Sequence, residues 1–147
     1  MRSGAIGWTS WAADGLFAVT AVPAALGVDG LDDTAVAVAL GLFGVSIPVW
    51  VYAFGLAVVR TTRGDDVVVA SLFFLQGSAP RRVQLELLGA LGVCVLVAAA
   101  TGAANPFGVL VPMLPLGLIG LWGARHGTYP PRGRSTGGPM KEGSPNG

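Results

Sequence analysis

Charge, cysteine, histidine and lysine are all scarce in this chain of 147 residues, and each shortage closes off a class of function. Cys94 and His126 are the sole members of their types, which excludes a disulfide framework within one chain and a zinc site of Cys and His alone. Cys94 sits inside an apolar run and reads as a small packing residue. Charged residues make up only 12%, about half the usual share of a soluble domain. Ser, Cys, His and the acids are scattered and never gather into a nucleophile–base set. The sequence therefore offers no catalytic residue, no cofactor-binding motif and no metal site, and it identifies no small-molecule substrate or nucleic-acid partner.

What the chain has instead is apolar length. Thr34 to Val59 runs for 26 residues without an Asp, Glu, Lys, Arg or His. As a helix it measures roughly 39 Å, against a hydrocarbon slab of about 30 Å. A helix apolar on every side is what a bilayer demands and what a water-exposed domain avoids. Within the run, Pro48 crowds the carbonyl of Gly44 and predicts a kink, with Ser46 placed to bond the freed backbone. Gly41, Gly44 and Pro48 are candidate helix-packing positions, as are the small pairs Ala37/Gly41 and Ala53/Ala57. Trp50 and Tyr52 lie toward the Arg60 end, in an inner aromatic belt or inside the bundle.

Three further segments complete an all-α, four-span plan. Residues 1–11 form an N-terminal segment with Trp8 and Trp11 on one face, suited to the membrane boundary. The first span, 12–28, is short, contains Asp14 and Pro23, and has a cleaved signal peptide as its rival reading. Asp29, Asp32 and Asp33 follow. Three carboxylates invite a divalent cation, but Asp33 is better placed to cap the 34–59 helix, and acids suit its N-terminal dipole. The connection 60–83 holds the apolar run 67–75, only about 14 Å long as a helix, which is expected to be interfacial or re-entrant. Asp65 and Asp66 read as a solvated turn. The third span, 83–102, follows Pro80 with Ser78 as its expected cap. Glu86 stands one turn in, four residues after Arg82, where an ion pair is easy. The fourth span, 107–123, carries Pro112, Pro115 and the triplet Gly117, Gly120 and Gly123. With no preceding strand and no Lys-Ser/Thr, those glycines point to close helix contact rather than a phosphate loop. Residues 124–147 are rich in Gly, Pro and Ser with Arg125, Arg132, Arg134 and Lys141, and are expected to be a basic tail, disordered beyond about Arg132.

The cations sort cleanly. Arg2, Arg60, Arg63, Arg81, Arg82, Arg125, Arg132, Arg134 and Lys141 all fall in the first, third and fifth of the five segments that flank four spans. By the positive-inside rule both termini and the middle loop face the cytoplasm, and the protein belongs in the cytoplasmic membrane. Two of those inward stretches, Leu72–Val83 (LFFLQGSAPRRV) and Leu121–Arg132 (LWGARHGTYPPR), together with the four-span plan, resemble small uncharacterised membrane proteins of actinobacterial type over about residues 12–132. The resemblance implies membrane location and transfers no functional residue. Arg81, Arg82, Arg125, His126 and Arg132 stand beside turn residues at helix boundaries, where they suit lipid headgroups or a partner. The leading expectation is a non-enzymatic accessory or interaction subunit that contacts the lipid bilayer and either a membrane-protein partner or further copies of itself. The rival is a small oligomeric transporter or channel-like protein, for which Asp14 and Glu86 would be the sensitive positions.

Overall fold

Ala, Val, Leu and Gly in long uncharged runs leave the backbone no water to bond with, so helices close their own hydrogen bonds. The computed structural model describes residues 4–133, and every regular element among them is helical. Helix α1 spans Gly4–Ala25, α2 Asp32–Thr62, α3 Val69–Phe73, α4 Arg81–Thr101 and α5 Met113–His126; a 3₁₀ turn at Pro106–Leu110 leads into α5. Three segments are long and apolar enough to cross a membrane: Asp32–Thr62, Arg81–Thr101 and Pro106–His126. Their outward faces carry Leu40, Val51, Phe54, Val58, Val95 and Leu96, the perimeter of a membrane protein.

On α2 the fully buried positions are small and many of the large ones are exposed. The fully buried residues are Ala35, Ala39, Ser46, Ala53 and Ala57, while Leu40, Val45, Ile47, Val51, Phe54 and Val58 are exposed. With hydrocarbon outside, bulk on the perimeter costs nothing and small inner faces let backbones close up. The innermost helix is α5, with nine of its 14 residues buried, against five of 31 on α2 and six of 21 on α4. Phe17, Ala21, Ala39, Cys94, Ala98 and Val111 fill one end of the bundle. Leu75, Val83, Leu87, Ile119 and Trp122 fill the other, with Ile6 against them. The starts of α1 and α4 and the ends of α2 and α5 therefore share one end of the molecule, and with them Arg60, Arg63, Arg81, Arg82 and Arg125.

Several boundaries differ from those read in the sequence. α1 begins at Gly4 rather than at residue 12 and ends at Ala25, which moves Asp14 from the edge of a span to the middle of a 22-residue helix. The last apolar segment, Pro106–His126, does not begin as an α-helix. Pro106, Pro112 and Pro115 deny it regular donors, so the chain starts with a 3₁₀ turn, which Asn105 caps by accepting from the Phe107 N–H at 3.1 Å. Asp33 does not cap α2; Leu31 holds that position without a side-chain bond, and both Asp32 and Asp33 lie in the first turn, where the dipole still favours them. Ser78 does not cap α4 either. Pro80 occupies the position, and the Ser78 hydroxyl donates instead to the Ser71 carbonyl at 2.7 Å. Ser46 donates to Phe43 at 2.6 Å, not to the Gly44 carbonyl that Pro48 leaves free.

The 67–75 run is a wedge. Leu72, Phe73 and Leu75 are buried against α5 and α2, while Val68, Val69 and Phe74 are exposed. Phe73 stacks on Trp50 at 4.9 Å between ring centroids. Leu75 turns the chain with φ +55°, a left-handed conformation unfavourable for leucine. Burial of its side chain and the Gln84 side-chain amide donated to its carbonyl hold it there.

Candidate functional site

The end of the molecule that gathers the arginines is held together by one of them. Arg60, in the last turn of α2, donates from Nε to Asp65 Oδ2 at 2.8 Å and from Nη1 to the carbonyls of Gly127 at 2.8 Å and Ala124 at 3.2 Å. Its guanidinium lies 4.7 Å from the centre of the Tyr129 ring. One planar fork thus ties the end of α2 to the loop after it and to the chain leaving α5, a geometry that a lysine ammonium could not copy. Arg60–Asp65 is the only salt bridge among the described residues.

Backbone bonds extend the latch. The Asp66 N–H donates to Pro130 at 2.9 Å, the Arg132 N–H to Gly64 at 2.6 Å, and the Thr128 N–H to Ser78 at 3.1 Å. Asp65 and Pro131 form an isolated antiparallel bridge. Tyr129 donates its hydroxyl to the Gly123 carbonyl at 2.9 Å. Burial raises the Tyr129 pKa above its ordinary value, with Arg60 pulling the other way. The expectation of a tail starting at residue 124 is corrected accordingly. Residues 124–126 complete α5, and 127–132 fold back on the 60–80 loop because arginine, tyrosine and backbone groups satisfy a segment that has almost no apolar surface to bury. Residues 134–147, including Arg134 and Lys141, lie outside the described residues, as does Arg2.

The glycine triplet of α5 makes this fit possible. A Cβ on Gly117 would meet the Trp50 ring at 2.9 Å, one on Gly120 the Phe73 ring at 2.5 Å, and one on Gly123 the Leu72 carbonyl oxygen at 2.6 Å. Trp50 therefore packs against α5, half-buried, and donates to the Met113 carbonyl at 2.8 Å. Gly41 and Gly44 are different. A Cβ on either would meet nothing within 4 Å, so no close helix contact depends on them, and Pro48 lies on the same outward-facing run. Spacing alone could not separate the two glycine sets, since both read as small residues in an apolar helix.

Around the latch, Arg63, Arg81, Arg82, Arg125, His126 and Arg132 are all exposed. His126 stacks on Trp122 at 5.4 Å. Tyr52, Arg60, Arg63, Arg125 and His126 border a shallow depression, with Leu56 and Val59 as its apolar wall. Glu86 forms no ion pair with Arg82; it is exposed and lines a small hollow with Trp8 and Trp11. No cluster of three or more His, Cys, Asp or Glu side chains capable of holding a metal occurs among the described residues. Chemically, this end presents fixed positive charge and hydrogen-bond donors at the rim of an apolar bundle. The sequence showed these cations but not the residue that orders them: Arg60 was legible only as one more arginine at a helix end.

Comparison of the chain with protein-family models, with curated proteins and with solved structures returns no match.

Proposed function

We propose that this chain is a four-span protein of the cytoplasmic membrane, with both termini and the 60–83 loop inside, and that it works without covalent chemistry as an accessory or interaction subunit. Four spans count α1, whose 22 residues measure about 33 Å, with the three more apolar segments. The orientation follows from the arginines at one end and Asp29, Asp32 and Asp33 at the other.

The observation that carries the functional reading is the Arg60 latch. It gives order to a cytoplasmic face whose remaining cations are free of salt bridges among the described residues. Such a face suits an acidic partner seated at the membrane surface. Native-membrane pull-down in mild detergent tests it: the wild type should repeatedly retain a partner, and the double variant Arg63→Glu, Arg125→Glu should lose it. Repeated recovery of the chain alone would remove the reading. Orientation is tested separately with a membrane-impermeant thiol reagent in a Cys94→Ala background, which should label Asp32→Cys in intact cells and Arg63→Cys only after permeabilisation.

A second reading, a small oligomeric transporter, is favoured by one specific observation, the placement of Asp14 at the middle of α1. Flux in reconstituted vesicles that is unchanged by Asp14→Asn would exclude it.

A further inference from the structure

Asp14 is 97% buried in the bundle, yet neither carboxylate oxygen has a hydrogen-bond partner. It sits about 15 Å from either end of α1, near the midplane if the helix spans. One turn earlier on the same face is Ser10, fully buried, whose hydroxyl also has no partner. Serines inside helices commonly donate back to the preceding turn, as Thr9, Thr20, Thr61 and Thr101 do here, so a free Ser10 hydroxyl leaves its donor available. From α4, the Cys94 thiol lies beside Asp14 outside full hydrogen-bond geometry.

Among the described residues, no ionisable group besides the Cys94 thiol reaches this point. On α4 the charges, Arg81, Arg82 and Glu86, stand at the arginine-bearing end, and α5 has only Arg125 and His126 in its last turn. On α2, Asp32 and Asp33 occupy the first turn, Arg60 the last, and Tyr52 faces outward. An uncompensated carboxylate among apolar side chains is among the costliest groups a bundle can hold, and within a membrane such groups line ion pathways and proton relays. The ligands on offer decide between the two. A hard metal cation wants about six oxygen ligands, and the buried, unpartnered side-chain oxygens among the described residues are only the two of Asp14 and that of Ser10. A proton needs a single acceptor.

We propose that Asp14, with the unpartnered Ser10 hydroxyl one turn away on the same face, is a proton-exchange site in the α1–α4 seam. The proton bonds to a carboxylate oxygen and leaves by the same bond, with no redox step. Toward the arginine-bearing end of the same two helices lies a hollow bounded by Trp8, Trp11 and Glu86, and Glu86 is assigned as the surface carboxylate that exchanges protons with water. The site goes beyond the docking function, because it requires no partner.

The test is infrared difference spectroscopy on the full-length protein in liposomes, with the pH stepped at constant Na⁺ and Na⁺ stepped at constant pH. The carbonyl stretch of a protonated carboxyl should appear and vanish with pH as one group, shift in Ser10→Ala, and be lost in Asp14→Asn. Glu86→Gln should leave the band in place and slow its response to a pH jump. Should Asp14→Asn fail to fold, the variant Asp14→Glu with isotope-labelled glutamate keeps the test open, because the band must then carry the glutamate label. Persistence of the band in Asp14→Asn, its absence across the pH range in the wild type, or a response to Na⁺ in place of pH would each overturn the proposal.

Discussion

Replacing Arg60 by alanine removes the Asp65 pair, two carbonyl contacts and the packing on Tyr129 in one step. Hydrogen bonds to a charged group contribute about 1.5–3 kcal/mol each when sheltered. The Arg60 and Asp65 side chains are 25% and 31% exposed, and bonds sharing one guanidinium are not additive, so the whole set is worth about 2–3 kcal/mol. The loss is local, because the helices on either side keep their own packing. Hydrogen exchange of the full-length protein in lipid nanodiscs reads it directly at the amides of Asp66, Thr128 and Arg132, whose bonds join the two segments that Arg60 ties. At a factor of ten per 1.4 kcal/mol, exchange there should quicken roughly 30- to 150-fold. Amides in the middle of α2 and α5 should be unaffected. Arg60→Lys keeps the charge but loses the fork, and should fall between, at roughly 5- to 30-fold. Exchange in Arg60→Ala within threefold of the wild type at all three amides would refute the claim that this residue orders the face.

Other predictions follow from the same geometry. Gly123→Ala would set a methyl 2.6 Å from the Leu72 carbonyl oxygen, which only a backbone shift can relieve, and should lower thermal stability in detergent by about 1–3 kcal/mol. Gly41→Ala meets nothing within 4 Å and replaces a poor helix former by the best, so it should be neutral or stabilising by up to about 1 kcal/mol; a loss comparable to that of Gly123→Ala would contradict the packing described. Tyr129 has a folded-state pKa raised by burial, so the folded protein holds this proton more tightly than the unfolded chain. The stability it contributes is complete below the ordinary tyrosine value of 10.0 and is lost as the pH climbs through the raised value. Tyr129→Phe should flatten that alkaline limb, seen as release of residues 127–132 to protease, and should cost about 1 kcal/mol at neutral pH for its lost bond to Gly123. An alkaline limb unchanged in the Phe variant would assign the loss to another group.

How much of this could be read from residues alone follows from the range of the forces involved. Hydrocarbon compatibility is a property of composition over about twenty residues, so the all-α class, the long α2, the apolar segments that became α4 and the last span, and the segregation of arginine to alternate connections were all visible before any fold. Helix ends were less so, because Asp33 and Ser78 both carry capping side chains and neither caps; the choice depends on what else each can reach. Tertiary structure alone decided which glycines matter. Gly117, Gly120 and Gly123 are pressed against Trp50, Phe73 and Leu72, whereas Gly41 and Gly44 face open space, and nothing in the local spacing distinguishes them. It also decided that 127–132 is pinned rather than loose, since its partners in the 60–80 loop lie fifty or more residues earlier in the chain. Asp14 makes the same point most sharply: a carboxylate at the fringe of a weak apolar run becomes, once α1 reaches back to Gly4, an unpaired acid in the middle of the bundle. Apolar length is summed along the chain, but burial is conferred by neighbours distant in it, and only folding brings those neighbours together.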